Sequence, residues 1–420
     1  MSYLAQYNSI PPDDVATRTS LISGWLRTDT RPFFAELRRS QPVFQTPAFT
    51  LVTRYNDVID VLRRNADFSV KIYGDKMDRV VGPHMLGRDH SLQNTRDKPF
   101  MRVAMPDADA ERVRGMVRRW LEDLLPDESD DFDVVREVSR LIPVKLCAEY
   151  FGFPGPDVAT MMRWSKATQT DFFKNIQRDT RIHEAAVSAG RAMKSYLKEL
   201  ISEREQAIRT DSGAVEQTVV DHLVQLYIDG HLPLEPEALI ANIAGLLIGA
   251  VETTSQAIAQ TLQQILLRED VHELALTAIR AEANDDLLDI TNEALRFNPI
   301  NPLLFRYTET DTVLAAGTPH AHPVRRGTTI FACTASAMWD GEVIQFPDQF
   351  STNRSRHHYL HFGVNSHECL GRTLGETMIV EVVSALLQRG ARPIDGTEGA
   401  IQFNGGPFPE SYRIELTGQA

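Results

Sequence analysis

HYLHFGVNSHECLGRTLGETMIVEVVSALLQ, residues 358–388, decides how the rest of the chain is read. Its first half is a loop that ends at Cys369. Its second half, from Leu370 to Gln388, contains no proline and repeats apolar residues at helical spacing: Leu370, Leu374, Met378, Val382 and Leu386. The pattern predicts a helix over 370–388 with Cys369 at its entrance. A helix N-terminus favours negative charge through its free N–H groups and its dipole. A cysteine there is biased toward thiolate, the form that binds metal. Position alone favours a buried structural thiol, since free cysteine is among the most buried residue types.

Working outward, composition narrows the classes. The 420 residues carry a net charge of −13, against the basic patches of a nucleic-acid binder. Cys147, Cys333 and Cys369 are odd in number, far apart and without a CxxC pair. A disulfide framework or structural zinc site is not expected, and the pattern fits a reducing cytoplasm. The first twenty residues lack the basic and apolar regions of a signal peptide. The most apolar run, 239–251, is interrupted by Asn242 and is short for a bilayer span, so a soluble protein with no membrane anchor is expected.

Along the chain, helical periodicity at 21–40 precedes two strand-like runs, PVFQT (42–46) and FTLVTRY (49–55). A helix over 57–64 is expected, capped by Asn56 or Asp57. Residues 67–93 read as irregular. In NTRDKPFMRVAM (94–105), Pro99 belongs in the first turn of any helix. Helices are expected at 108–125, 133–150 and 157–205, and a loop at RTDSGAVEQ, 209–217. One long buried helix fits 236–270.

Two motifs stand out inside the helices. GAVETTS (249–255) places an ionisable Glu252 after a long apolar run, which is costly unless it is paired or solvated. Thr253 and Thr254 can bond back to the i−4 carbonyl and loosen the helix; a helix end with both facing solvent is the competing reading, but the helical pattern continues through AIAQTLQQILL. In NEALRFNPINPLLFRYTETD (292–311), Glu293 and Arg296 share a helix face. Taken alone they form a surface ion pair contributing under about 1 kcal/mol.

Phe362, Gly363, His367, Cys369 and Gly371 together resemble the haem-binding loop of the cytochrome P-450 family, FGxGxHxCxG. Asn365 stands where the family has its second glycine; Asn is the non-glycine residue that best tolerates positive φ. The resemblance extends in order over about residues 20–415. Gly249, Ala250, Glu252 and Thr253 match the family's (A/G)Gx(D/E)TT helix, with Gly and Ala exchanged. Glu293 and Arg296 match its ExxR helix, Arg306 its propionate-binding strand, and Arg354 in FPDQFSTNR its meander arginine. Asn94, Arg96 and Lys98 stand where an HxxxR pattern binds a propionate. Met338, Trp339 and Asp340 replace the usual Asn-Arg-Asp. Tyr359 replaces a propionate-binding histidine, for which His358 or His361 could substitute.

What the resemblance implies is a mainly α fold with a small β-rich side. It is a triangular prism with haem between the central long helix and the helix after the cysteine loop. One domain would span 1–420, β-rich over about 20–65 and helical over about 105–300. Cys369 would be the axial ligand of haem b iron, the phenylalanine and glycines would admit the haem, and Glu252 and Thr253 would deliver protons during O2 activation. Glu293, Arg296 and Arg354 would form a buried structural network. The implied reaction inserts one oxygen atom into a small, mostly apolar organic substrate. Electrons would come from a ferredoxin or flavodoxin and its reductase, with NAD(P)H acting only indirectly. Arg372, with Arg112 and Arg114, would meet that partner on a monomeric, cytoplasmic enzyme. A peroxide-driven relative, a non-hydroxylating oxidase and a haem sensor are the competing readings. A cysteine hydrolase is remote, because His367 is only two residues from Cys369 and no oxyanion site is evident.

Overall fold

The two β-branched runs near the start do form strands, Val43–Gln45 and Thr50–Val52, paired antiparallel with Val43 opposite Val52. The computed structural model describes residues 2–89, 92–176, 178–210, 218–232, 234–396 and 399–418. Thr50–Val52 then pairs in parallel with Thr329–Ala332, which pairs antiparallel with Leu304–Thr308, and the short Phe68–Ser69 closes the edge. This sheet and the hairpin Thr312–Leu314/His322–Val324 belong to a compact unit built from Met1–Ile72, Arg88–His90 and Pro299–Cys369. Its core gathers Val52, Val58, Leu62, Phe68, Ile330 and Ala332. The sequence over 20–65 is less β-rich than expected: Val15–Thr28, Thr30–Ser40 and Tyr55–Arg63 are helices, and the sheet takes its other strands from the far end of the chain.

The expected cap at Asn56 or Asp57 is replaced by a distant one. The helix starts at Tyr55, whose backbone N–H donates to Asp340 Oδ2 at 2.9 Å. A carboxylate brought in by the fold satisfies the first turn, so no local cap is needed. Asp57 instead pairs with His320 Nε2 at 2.7 Å. The Met338–Trp339–Asp340 replacement is accommodated throughout: Met338 Sδ accepts from the Leu360 N–H, and the Arg31 guanidinium lies 3.6 Å from the Trp339 ring centre.

A second unit comprises Tyr73–Gly87, Ser91–Asn298 and Leu370–Ala420. Its axis is the helix Pro236–Leu266, with proline in the first turn, where its missing N–H costs nothing. The helix ends at Leu266 rather than 270, and a new one begins at Glu269. By length and composition this central helix could cross a membrane, yet 78% of its most apolar 18-residue window is buried inside the fold. It packs against Leu141–Glu149, Val158–Gln169, Asn284–Phe297 and Arg372–Gln388, as expected of a helix apolar nearly all round. Arg372–Gln388 also packs on Ala110–Leu124, where buried Glu381 is gripped by Arg114 and Arg118.

Several expected boundaries move. The irregular stretch 67–93 contains a helix, Lys71–Val80, that buries Tyr73, Met77 and Val80 on one face. Pro99 lies well inside Leu92–Ala104, not in its first turn. Buried Asn94, Asp97, Met101 and Ala104 recur at helical spacing, and their packing carries the helix past the missing hydrogen bond. The helix expected at 133–150 is split, because Glu128–Asp133 pairs with Arg413–Thr417 as a strand and the π-turn Val135–Ser139 precedes Leu141–Glu149. The stretch 157–205 becomes Val158–Gln169, a π-turn Thr170–Lys174, and Thr180–Thr210. Asn175 makes that break, since its amide bonds both Asp171 Oδ1 and the Asp179 backbone. Most of the loop expected at 209–217 lies outside the described residues. The fold class is as expected: mainly helical with small sheets.

Candidate active site

The cysteine loop is closed by its own backbone. Cys369 N–H donates to the Phe362 carbonyl at 2.7 Å, and Glu368 N–H to the Asn365 carbonyl at 3.0 Å. Two residues make the turn possible. Gly363 has φ +69, and a Cβ there would sit 3.1 Å from the His367 carbonyl oxygen. Asn365 has φ +62, so the asparagine adopts the left-handed conformation that the family glycine would provide. Side chains anchor the loop from outside: Asn65 Nδ2 donates to Ser366 Oγ, and His367 Nε2 meets Asp89 Oδ1 at 3.1 Å. His367 therefore holds the loop in shape.

The three cysteines separate cleanly. Cys147 and Cys333 are fully buried, and burial pushes both thiols far above their ordinary value, so they stay protonated. Cys369 is exposed. The helix behind it runs Arg372–Gln388 with Gly371 as its N-cap, two residues later than expected. A Cβ on Gly371 would meet nothing within 4 Å.

The central helix has its own opening. Gly249 is exposed and Ala250 and Thr253 half-buried, in a helix otherwise almost wholly buried. A Cβ on Gly249 would likewise meet nothing within 4 Å. Thr253 Oγ1 donates back to the Gly249 carbonyl, the back-bond read from the sequence, while the helix runs unbroken from Pro236 to Leu266. Glu252 is 1% exposed, and Arg140 Nη2 lies 3.2 Å from its Oε2. Its Oε1 has no hydrogen-bond partner among the described residues. Burial raises the Glu252 pKa, partly offset by Arg140 and Lys166. Such a carboxyl keeps its proton to higher pH than an ordinary one, as a general acid requires.

Glu293 and Arg296 are not a surface pair. Both side chains are fully buried, joined by two 2.8 Å bonds, Nε to Oε2 and Nη2 to Oε1. In the other unit, the Arg354 guanidinium donates to the carbonyls of Gln345, Phe346 and Gln349, pinning a turn in which Phe346 has φ +47. Arg306 is 3% exposed in its strand, one Nη donating to the Phe305 carbonyl. Asn94 Nδ2 donates to the Met85 carbonyl; Arg96 Nε meets Asp97 Oδ1 at 2.8 Å, and Lys98 is half-buried. Tyr359 is buried and stacks on His361, while burial, then Arg354 and His357, push His358 toward its neutral form.

Three charged residues central to these arrangements were not singled out in the sequence. Asp97, fully buried, accepts from Asn242 Nδ2 at 2.9 Å, so the asparagine that interrupts the apolar run has a partner. Glu381 and Arg140 are the others. A charged residue inside an apolar helical pattern was the available signal for Glu381, whereas Asp97 stands among polar and charged neighbours that hide it. Arg140 had none.

An exposed cysteine stands just before a helix, and on the central helix a buried acid stands beside a half-buried alcohol. The family model for Cytochrome P450 matches residues 157–390. The erythromycin C-12 hydroxylase of Saccharopolyspora erythraea is 28% identical over 367 residues, covering 86% of this chain and 84% of that protein. The epothilone C/D epoxidase of Sorangium cellulosum is 23% identical over 383 residues, 86% of each. Among solved structures, CalO2 superposes with a TM-score of 0.79 at 19% identity, covering 94% of this chain and 98% of that one. The chain belongs to the cytochrome P450 family and is an oxidoreductase of the monooxygenase class. The family implies a haem-thiolate cofactor, O2, a small-molecule substrate and a redox partner.

Proposed function

We propose that the chain binds haem b through the Cys369 thiolate and hydroxylates or epoxidises a small, mostly apolar organic molecule of the natural-product type. The names of its hydroxylase and epoxidase relatives support that substrate class. The observation that carries the reading is Cys369: it is exposed and held by a closed loop, whereas the other two thiols are buried and protonated. Arg306, with Asn94, Arg96 and Lys98, would hold the propionates. Gly249 and Ala250 leave room on the helix face. When bound, haem supplies the redox chemistry that activates O2. One oxygen atom enters the substrate and the other leaves as water, taking up two electrons from the partner and two protons from solvent. Glu252, almost wholly buried, would hold a proton, and the half-exposed Thr253 hydroxyl would offer a second proton-carrying group on the same helix.

The test is substrate turnover under labelled O2 with a ferredoxin or flavodoxin, its reductase and NAD(P)H. One labelled atom in the product is expected; unlabelled or no product would overturn the reading. Glu252→Gln and Thr253→Ala should each cut product formation by about a hundredfold, the scale of a lost acid–base group. Product driven by H2O2 alone, and unchanged in Thr253→Ala, would point instead to a peroxide-using relative.

Arg114, expected at the partner's docking face, is 15% exposed and engaged by Glu381. Arg372, Arg118 and Arg119, at 34%, 59% and 63%, are more exposed, each beside a carboxylate of Glu376, Glu381 or Glu149, and Arg112 is exposed as expected. Reversing their charge should slow reduction by an acidic ferredoxin several-fold at low salt, with the difference fading above ~0.15 M. Unchanged reduction rates would remove this face from consideration.

A further inference from the structure

Arg140 stands at the head of the helix Leu141–Glu149, directly after the π-turn Val135–Ser139. Its guanidinium divides its contacts. Nη2 reaches Glu252 Oε2 at 3.2 Å and the Pro409 carbonyl at 2.7 Å, while Nη1 lies 3.7 Å from Glu410 Oε2. Lys166, on Val158–Gln169, holds the other oxygen of Glu410. Side-chain exposure rises steadily along this series, from 1% at Glu252 through 11% at Arg140 and 22% at Glu410 to 43% at Lys166. A ladder of alternating charge therefore runs from the buried acid to the surface. At its inner end two polar atoms have no partner among the described residues, Glu252 Oε1 and Arg140 Nε.

An arginine stays charged at any physiological pH, so it cannot pass a proton along this ladder. It can only hold. Held by one oxygen, Glu252 keeps the other available. We propose that Arg140 is the positioning residue for Glu252, and that the Glu410–Lys166 pair at the surface sets how tightly Arg140 grips it. The inference rests on the reading of Glu252 as the proton-delivering acid. A hydronium ion gives its proton to Oε1 and leaves as water; the resulting acid releases that proton for O2 reduction and returns to the carboxylate. A firm grip by Arg140 favours the carboxylate. Glu410 draws the guanidinium outward and favours the acid, while Lys166 competes for Glu410 and opposes that draw. Several other charged groups on elements packed against the central helix have partners of their own. Glu293 is paired with Arg296, Glu381 with two arginines, Arg136 and Glu137 with the Asp133 region, and His183 with Asp171.

The ladder predicts shifts of opposite sign, which a merely structural role would not produce. The readout is the infrared carbonyl band of protonated Glu252, assigned by its loss in Glu252→Gln and followed against pH in the purified holoenzyme. Arg140→Gln and Lys166→Gln should move its midpoint to higher pH and Glu410→Gln to lower pH, and the pH limb of coupled turnover should move the same way. If Arg140→Gln does not fold, the two surface variants, on partly exposed side chains, still decide the matter. Shifts of the same sign, or no shift in either folded surface variant, would overturn the proposal. Full coupled turnover in Glu252→Gln would instead refute the role of Glu252, whatever the band does.

Discussion

Cys369→Ala is expected to give a folded protein that lacks the far red-shifted Soret band of the reduced CO complex and has no detectable NAD(P)H-linked turnover. The reasoning starts from what the substitution leaves alone. The loop is closed by the backbone N–H of residue 369 and the Phe362 carbonyl, and by Asn65 and Asp89 acting on neighbouring residues. None of these needs the thiol. Removing an exposed sulfur from such a site should change stability by no more than about 0.5 kcal/mol. The chemistry has no substitute. Cys147 and Cys333 are fully buried, and burial holds both as thiols. Neither can replace a thiolate ligand without unfolding its surroundings. A thiolate-type band in the folded Ala variant would therefore refute the ligand assignment outright. Loss of the band together with loss of fold, seen as a collapsed denaturation midpoint, would show that the loop depends on its cofactor.

Glu293→Ala should do the opposite, destroying the fold without touching the chemistry. Arg296 is among the largest fully buried side chains in the chain, and Glu293 meets it with both oxygens. Removing the carboxylate leaves a guanidinium in the interior without that partner. Breaking a buried pair of this kind costs ~3–5 kcal/mol, set against a total stability of about 5–15 kcal/mol for a typical domain. Soluble yield should fall sharply, and the surviving fraction should unfold at much lower denaturant. Glu293→Gln, which keeps the shape and one acceptor, should lose less. An Ala variant within about 1 kcal/mol of the parent would show that the pair is not structural.

The two substitutions also mark what a sequence can disclose. The cysteine loop, the acid–alcohol pair and the ExxR helix were legible because each is a local pattern, fixed by turn geometry or helical spacing. Asn365 was legible down to its backbone angle, since only a few residues tolerate positive φ. What stayed hidden depends on partners distant in the chain. Nothing near Tyr55 announces that Asp340 caps its helix, and nothing near Glu252 announces Arg140. The acidic run Glu128–Asp133 has little strand propensity of its own; pairing with Arg413–Thr417 makes it a strand. The burial of Glu293 and Arg296 is likewise a tertiary fact, which is why spacing alone makes them look like a surface pair.

The sheet that joins Thr50–Val52 to Thr329–Ala332 has a consequence for how the protein is made. Its partners stand about 280 residues apart, and a ribosome adding roughly 5–20 residues per second needs on the order of 15–60 s to supply the second after the first. Throughout that interval the first strands emerge with an open edge rich in Val, Phe and Leu. Contacts this remote in sequence close slowly, and exposed edges of this kind invite pairing between nascent chains. Production in a foreign host should therefore be governed by translation rate, temperature and chaperone supply more than by the strength of the finished core.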